Sequence, residues 1–509
     1  MARESARRRQ RRSAAAAIAQ RPWRRLVNPY RPIEVLSADQ IEAIHTASLD
    51  LLETLGLDLW SDEALDEFAR AGADVDRAGR HARFDRGLIE ESVAKAPAEF
   101  TLTPRNPARA ITMGGANINF GLVGGPANST DLDRGRRSGT FTDACDLIRL
   151  GQCFNVLHLV GGGPVAATDL AVETRHLDTC QACITLTDKV WQTSAFGRTR
   201  VDDAIDMLCL ARGASRDDLA RNPGLTGVVN ANSPLRYDGP MLEGLMALAR
   251  AGQAAIVTPF TLAGAMSPIT LAGALAQQNA EALAGIALTQ IVRPGAPVIY
   301  GGFTSNVDMR TGAPAFGTPE YAKAVLAGGQ LARHYRLPYR SSNVNASNTV
   351  DAQAAYESQM SLWAVIMGHT NLIVHGAGWL EGGLTASFEK MVIDAEMLQM
   401  MAAFLEPIEV NDDALAIDAM AEVGPGGHFF GAAHTLERYE TAFYAPMVSD
   451  WRNFETWEEA GSLTATQRAN AIWKQLLADY EPPPLDPAVA EELDALVTRR
   501  KAEGGVIEG

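Results

Sequence analysis

The sequence predicts an α/β protein built on a (β/α)8 TIM barrel. Between Ile111 and about Met401 one unit recurs eight times: a short apolar strand, a loop rich in Gly, Pro, Asn and Ser, and an amphipathic helix. The strands are continuously apolar rather than alternating, so both their faces are buried, which requires a parallel sheet with helices outside it. Eight such units close naturally into a barrel. A doubly wound open sheet would need a switch point and a phosphate loop, and neither is clear in this chain.

The elements follow in order. Residues 1–25 hold nine Arg and one acid, so residues 1–32 read as a disordered, Arg-rich arm. Its SAAAAIA stretch is too weakly apolar for the core of a secretion signal. Residues 33–110 read as a helical N-terminal region. Ser37 caps ADQIEAIHTASLDLLETLGL, Gly56 stops it, and helices follow in SDEALDEFARAGA and LIEESVAKA before the Pro104-Arg105-Asn106-Pro107 break. The catalytic barrel spans 111–405, with strands expected at 118–125, 156–163, 190–197, 225–232, 254–264, 297–306, 337–347 and 371–383. Residues 406–509 form a C-terminal extension that packs on the barrel as a lid or a side strap.

Composition narrows the function. Forty-five basic against 61 acidic residues give a net charge of −16, which argues against a nucleic-acid binder. No apolar run of about 18 residues occurs, so no membrane span is expected. Five cysteines, an odd number in so long a chain, fit a reducing compartment and predict a cytoplasmic protein.

In this fold the C-terminal rim carries the active site. Polar residues gather there: Asn128 and Ser129 after the first strand, Asn230 and Asn232 after the fourth, Tyr300 to Asn306 after the sixth. The densest segment is the eighth, His375-Gly376-Ala377-Gly378-Trp379-Leu380-Glu381-Gly382-Gly383, which offers a base, a π face and a carboxylate among glycines. His176-x-x-x-Cys180-x-x-Cys183 sets three potential zinc ligands on one helix face, but a fourth is missing nearby and buried thiols are ordinary core residues. No bound metal is expected.

Several blocks then resemble the trimethylamine methyltransferase family: Gly125-Pro126 with Asp131, Gly161-Gly162-Gly163-Pro164, Ser305 to Gly312, Asp351 to Glu357, Gly378 to Ser387 and Gly424-Pro425-Gly426-Gly427-His428. The resemblance runs from about Ile33 to Trp457. It implies a barrel enzyme that takes a methyl group from a methylated amine and passes it to a corrinoid (cobalamin) carried by a partner protein. Founding members carry pyrrolysine at a strand end; here that position falls at or near Asn348. Relatives without pyrrolysine are associated with quaternary amines, above all glycine betaine.

That division has a chemical reason. Trimethylamine would expel an amide anion, whereas a quaternary ammonium expels a neutral amine and is already activated. The expected catalytic residues are Asn348, His375 and Glu381. The cation, which has no N–H to donate, needs aromatic faces. Phe120, Phe260, Tyr300, Phe303 and Trp379 are the candidates, with Glu381 as counter-charge. Donors for a betaine carboxylate are expected among His375, Asn230, Asn345 and Asn348. The competing readings are a barrel enzyme passing methyl directly to a folate and a non-catalytic betaine-binding subunit. A homo-oligomer is expected.

Overall fold

The computed structural model describes residues 18–506. Eight parallel strands form the barrel: β1 (Asn117–Leu122), β2 (Leu159–Val160), β3 (Val190–Ser194), β4 (Leu225–Val229), β5 (Ala254–Val257), β6 (Val298–Gly301), β7 (Tyr339–Ser342) and β8 (Leu372–Ala377). They pair in sequence order, and β8 closes on β1 through Leu372↔Asn119 and Ile373↔Phe120. Each strand is followed by its outer helix: α1 (Phe141–Cys153), α2 (Arg175–Leu186), α3 (Arg198–Arg212), α4 (Gly239–Arg250), α5 (Leu271–Val292), α6 (Pro319–His334), α7 (Ala352–Met367) and α8 (Phe388–Phe404). The eight expected units are therefore all present. Side-chain caps start several helices: Thr140, Asp238, Thr318, Asp351 and Ser387 each accept a first-turn amide.

The barrel interior is layered. Its lower half is a dry plug of Leu159, Val190, Ala254, Ile256, Ile299 and Leu372, sealed from below by Leu102, Ile111 and Met113 of the hairpin 100–113. The plug leaves only the upper, C-terminal half of the interior for chemistry.

Two regions differ from the sequence expectation. Residues 1–17 of the expected arm lie outside the described residues. Residues 18–32 are laid along the barrel foot instead of being loose: Leu26 and Val27 pair antiparallel with Ile118 and Asn117, and buried Asn28 donates to the Ile366 carbonyl at 2.8 Å. Within 33–110 the helices Ala38–Thr54, Asp62–Ala71 and Arg86–Val93 are joined by short strands at Leu57–Leu59, Asp74–Asp76 and His81–Arg83. These strands form a small sheet with Arg236–Tyr237 from the loop after β4. Three-residue strands leave too short a hydrophobic pattern to read.

Candidate active site

Period-two alternation sends Val190, Gln192 and Ser194 of β3 inward at rising heights, from plug to rim. Above the plug a cavity of about 410 Å³ opens on the C-terminal rim, lined among others by Gln192, Asn230, Met241, Thr258, Phe260, Phe303, Arg340, Val374, His375 and Trp379. A second space of about 470 Å³ adjoins it across Gly125, Gly162, Gln192 and Phe196 and extends outward past Arg175 and Arg200.

Arg340, on β7, is the dominant charge in the cavity. It is 3 % exposed, and among the described residues no carboxylate or carbonyl accepts from its guanidinium; its Nε is buried without a partner. The Phe303 ring lies 5.2 Å from its guanidinium carbon. Burial pushes its pKa down to about 10, so it stays cationic at neutral pH. Taking an ion out of water costs several kcal/mol, while a cation–π contact returns about 0.5–2 kcal/mol. The charge is thus under-compensated, as suits a residue built to receive an anion.

His375 faces the same space through a backbone irregularity. Leu372 and Val374 point inward, so a regular strand would send His375 outward. The register of β8 on β1 shifts between Ile373 and Ala377, and His375 takes a left-handed φ of 57°, which turns its ring into the cavity. Its Nδ1 accepts the Gly124 amide at 3.2 Å, which puts the ring proton on Nε2. Burial, with Arg340 nearby, holds its pKa well below the ordinary histidine value. His375 is a neutral hydrogen-bond donor, not a base.

The walls are aromatic. Phe260 and Phe303 lie 5.2 Å apart, Phe303 and Trp379 6.2 Å, and His375 and Trp379 4.2 Å between ring centroids. Phe316 backs both Phe303 and Trp379 at right-angled contacts.

Of the residues expected from sequence, Asn230, Phe260, Phe303, His375 and Trp379 meet at this cavity. The other five do not line it. Phe120 points away from the interior, against His158. Tyr300 also points outward, donating to Asn279 of α5 at 3.0 Å. Asn345 is a strut, its Nδ2 bonding the Trp379 carbonyl at 2.8 Å. Asn348 is exposed on the loop after β7. Glu381 is turned to Arg136, with Nε–Oε2 at 2.9 Å, so its carboxylate is already neutralised. Arg340 and Gln192 were missed. An arginine inside the apolar stretch LPYRSSNVNAS was the available signal for the first.

The His176-Cys180-Cys183 set is tied elsewhere: His176 Nε2 meets Asp203 at 2.8 Å, and burial pushes the Cys180 thiol up to about 12.

Comparison with known proteins agrees with this architecture. A family model described as trimethylamine methyltransferase (MTTB) matches residues 2–505. The glycine betaine methyltransferase of Desulfitobacterium hafniense (strain Y51) is 38% identical over 472 residues, 92% of this chain and 98% of that one. The trimethylamine methyltransferase MttB of Desulfitobacterium hafniense (strain DSM 10664 / DCB-2) is 31% identical over 472 residues, 92% of this chain and 94% of that one. The crystal structure of the Methanosarcina barkeri monomethylamine methyltransferase (MtmB) superposes with a TM-score of 0.51 at 9% identity, covering 89% of this chain and 90% of that one, which supports the fold. Matched from end to end by the family model, this methyltransferase belongs to the trimethylamine methyltransferase family.

Proposed function

We propose that the enzyme takes a methyl group from a betaine, a quaternary ammonium bearing a carboxylate, with glycine betaine the first candidate. The acceptor is the Co(I) corrinoid of a partner protein. The observation that carries this reading is Arg340: an unpaired guanidinium at the base of an aromatic-walled cavity. Trimethylamine or choline would bring no anion to it. A carboxylate would accept from Arg340 and from His375 Nε2, both charge-assisted or directional bonds.

This placement orients the other end of the molecule. A second cation about 5 Å from Arg340 would be repelled by about 3 kcal/mol at an effective dielectric of about 20. The trimethylammonium therefore sits upward, against Phe260 and Trp379, and presents a methyl group to the rim. The rim itself is bare there: Gly124, Gly125, Gly162 and Gly163 border the joined cavities, leaving room for a broad, flat acceptor. When bound, a reduced corrinoid supplies the electron pair that attacks the methyl carbon. The C–N bonding pair stays on nitrogen, which departs as a neutral tertiary amine, so no protein group has to donate a proton. What the residues contribute is alignment, which can be worth about 7–11 kcal/mol.

The test is methylation of cob(I)alamin, followed spectroscopically, with glycine betaine, carnitine, choline and trimethylamine as donors. Methylcobalamin and dimethylglycine in equal amounts are expected from glycine betaine. Transfer to tetrahydrofolate instead, or binding without turnover even with a corrinoid protein present, would replace this reading.

A further inference from the structure

We infer that Gln192 is a specificity-determining residue: with Arg340 it forms a two-sided clamp that reads the carboxylate of the methyl donor. The inference rests on the betaine reading above and adds a donor on the opposite wall. Both side chains line the inner cavity. Gln192 is 7 % exposed, and its Nε2 is buried with no hydrogen-bond partner among the described residues, as is Arg340 Nε. Buried polar atoms in native proteins are nearly always paired, so two orphaned donors on one cavity mark a partner that comes from outside the chain. The strand beneath Gln192 is firmly held. Gly162 packs so closely against it that a Cβ there would run into the Gln192 carbonyl oxygen.

The register of the barrel sets the two residues at one height. In a tilted, closed sheet the residue level with a given one advances by one position at each successive strand, so a layer of inward side chains comes from alternate strands. The pairs Gln192↔Thr226, Thr226↔Ala254, Ile256↔Ile299, Tyr300↔Tyr339, Arg340↔Leu372 and Leu372↔Asn119 carry this rule round from β3. They put Gln192, Ile256, Arg340 and Gly121 in one layer. Leu159, Ile299 and Leu372 of the plug lie one residue lower, so this layer is the floor of the cavity. Gly121 contributes no side chain and Ile256 joins the plug. That leaves Arg340 and Gln192 to reach toward the axis from β7 and β3, which stand opposite each other in the closed sheet.

Donors on opposite sides call for a ligand with acceptors back to back. A carboxylate has them. It accepts on both oxygens, about four lone-pair sites in all, so Arg340 and His375 do not exhaust it. One oxygen faces Arg340 and the other takes the Gln192 N–H, which fixes the plane of the group across the barrel axis. A hydroxyl, as in choline, brings one oxygen and no charge, and leaves Arg340 unmatched. Gln192 thus makes the floor selective for a planar anion and not merely for any polar end.

Binding to the full-length chain is measured by calorimetry with glycine betaine, choline and 3,3-dimethylbutyrate, a carboxylate with carbon in place of the ammonium nitrogen. Gln192→Met, similar in length but without the amide, is expected to weaken both carboxylates by the same factor, about 10- to 150-fold, and to leave choline unchanged. Gln192→Glu should abolish binding of both carboxylates, because its own carboxylate takes Arg340, and should tighten choline. The melting temperature of Gln192→Met should not fall, since the buried amide has no partner to lose. A merely structural role would lower it and spare the ratio between ligands. Should Gln192→Met fail to fold, Gln192→Asn, which draws the amide back by one methylene, is expected to show the same ligand pattern. Equal effects on choline and the carboxylates, or none on either, would overturn the inference and leave the betaine reading standing. A wild-type chain that binds choline but neither carboxylate would overturn both.

Discussion

Asp394 of α8 accepts the Gly378 amide at 2.8 Å on one oxygen and holds the Lys390 ammonium on the other. Asn343 joins them, donating to the Gly376 carbonyl at 2.9 Å and to Asp394 at 3.3 Å. A fully buried ion pair behind the barrel thus pins the segment that carries both His375 and Trp379.

Breaking one half of that pair should be far worse than removing both. Asp394→Leu alone leaves a buried ammonium and is expected to cost about 3–5 kcal/mol in urea denaturation. The double variant Lys390→Met with Asp394→Leu should recover most of that stability. It should nonetheless lose turnover, because the Gly378 amide no longer has its acceptor. A stable double variant with full kcat would show that the pair only fills space.

Arg340→Met separates binding from folding in opposite directions. Loss of a charge-assisted bond of about 1.5–3 kcal/mol predicts 10- to 150-fold weaker glycine betaine binding, measured by calorimetry. Removing an uncompensated buried charge predicts an unchanged or higher melting temperature. A variant that melts earlier and binds normally would place the carboxylate elsewhere.

The aromatic wall should report only the cation. Trp379→Leu or Phe260→Leu is expected to raise KM for glycine betaine by roughly 2- to 30-fold, the equivalent of about 0.5–2 kcal/mol per face. Inhibition by 3,3-dimethylbutyrate, which keeps the carboxylate and the shape but not the charge, should change little. Equal losses for both ligands would mean that the rings act by shape alone.

Acid should destabilise the fold through histidines buried in the neutral form. His158 is held at about 4 by burial, its Nδ1 accepting the Phe120 amide and its Nε2 donating to the Arg24 carbonyl. Unfolded, it titrates near 6.5, so between about 6.5 and 4 the unfolded chain binds one more proton and stability rises with pH. The contribution, of the order of 3 kcal/mol, is complete above pH 6.5 and lost as pH falls to about 4. His158→Gln should flatten that slope in urea titrations. His375, also depressed, should leave the rate insensitive to pH between about 6.5 and 8.

The barrel was legible because its signal is repetition: each strand start and helix is marked by composition, as at LTGVVNAN and the helix Gly239–Arg250 after it. The site was half legible. In a strand that is apolar on both faces nothing in the residue pattern tells inward from outward, so composition alone points Phe120 and Tyr300 toward the cavity although they pack on the helices. Asn348 and Glu381 lie a few residues past their strand ends, where loop direction depends on distant partners such as Arg136. His375 was found for its chemistry, but the register shift that aims it leaves no sequence mark beyond the neighbouring Gly376.

That register shift has a consequence for anyone grafting this chemistry onto another scaffold. Copying the imidazole, the guanidinium and the indole onto a regular eighth strand would leave the imidazole buried among the outer helices, one pleat out of phase. The extra half-step of main chain between Ile373 and Ala377 would have to be transplanted first.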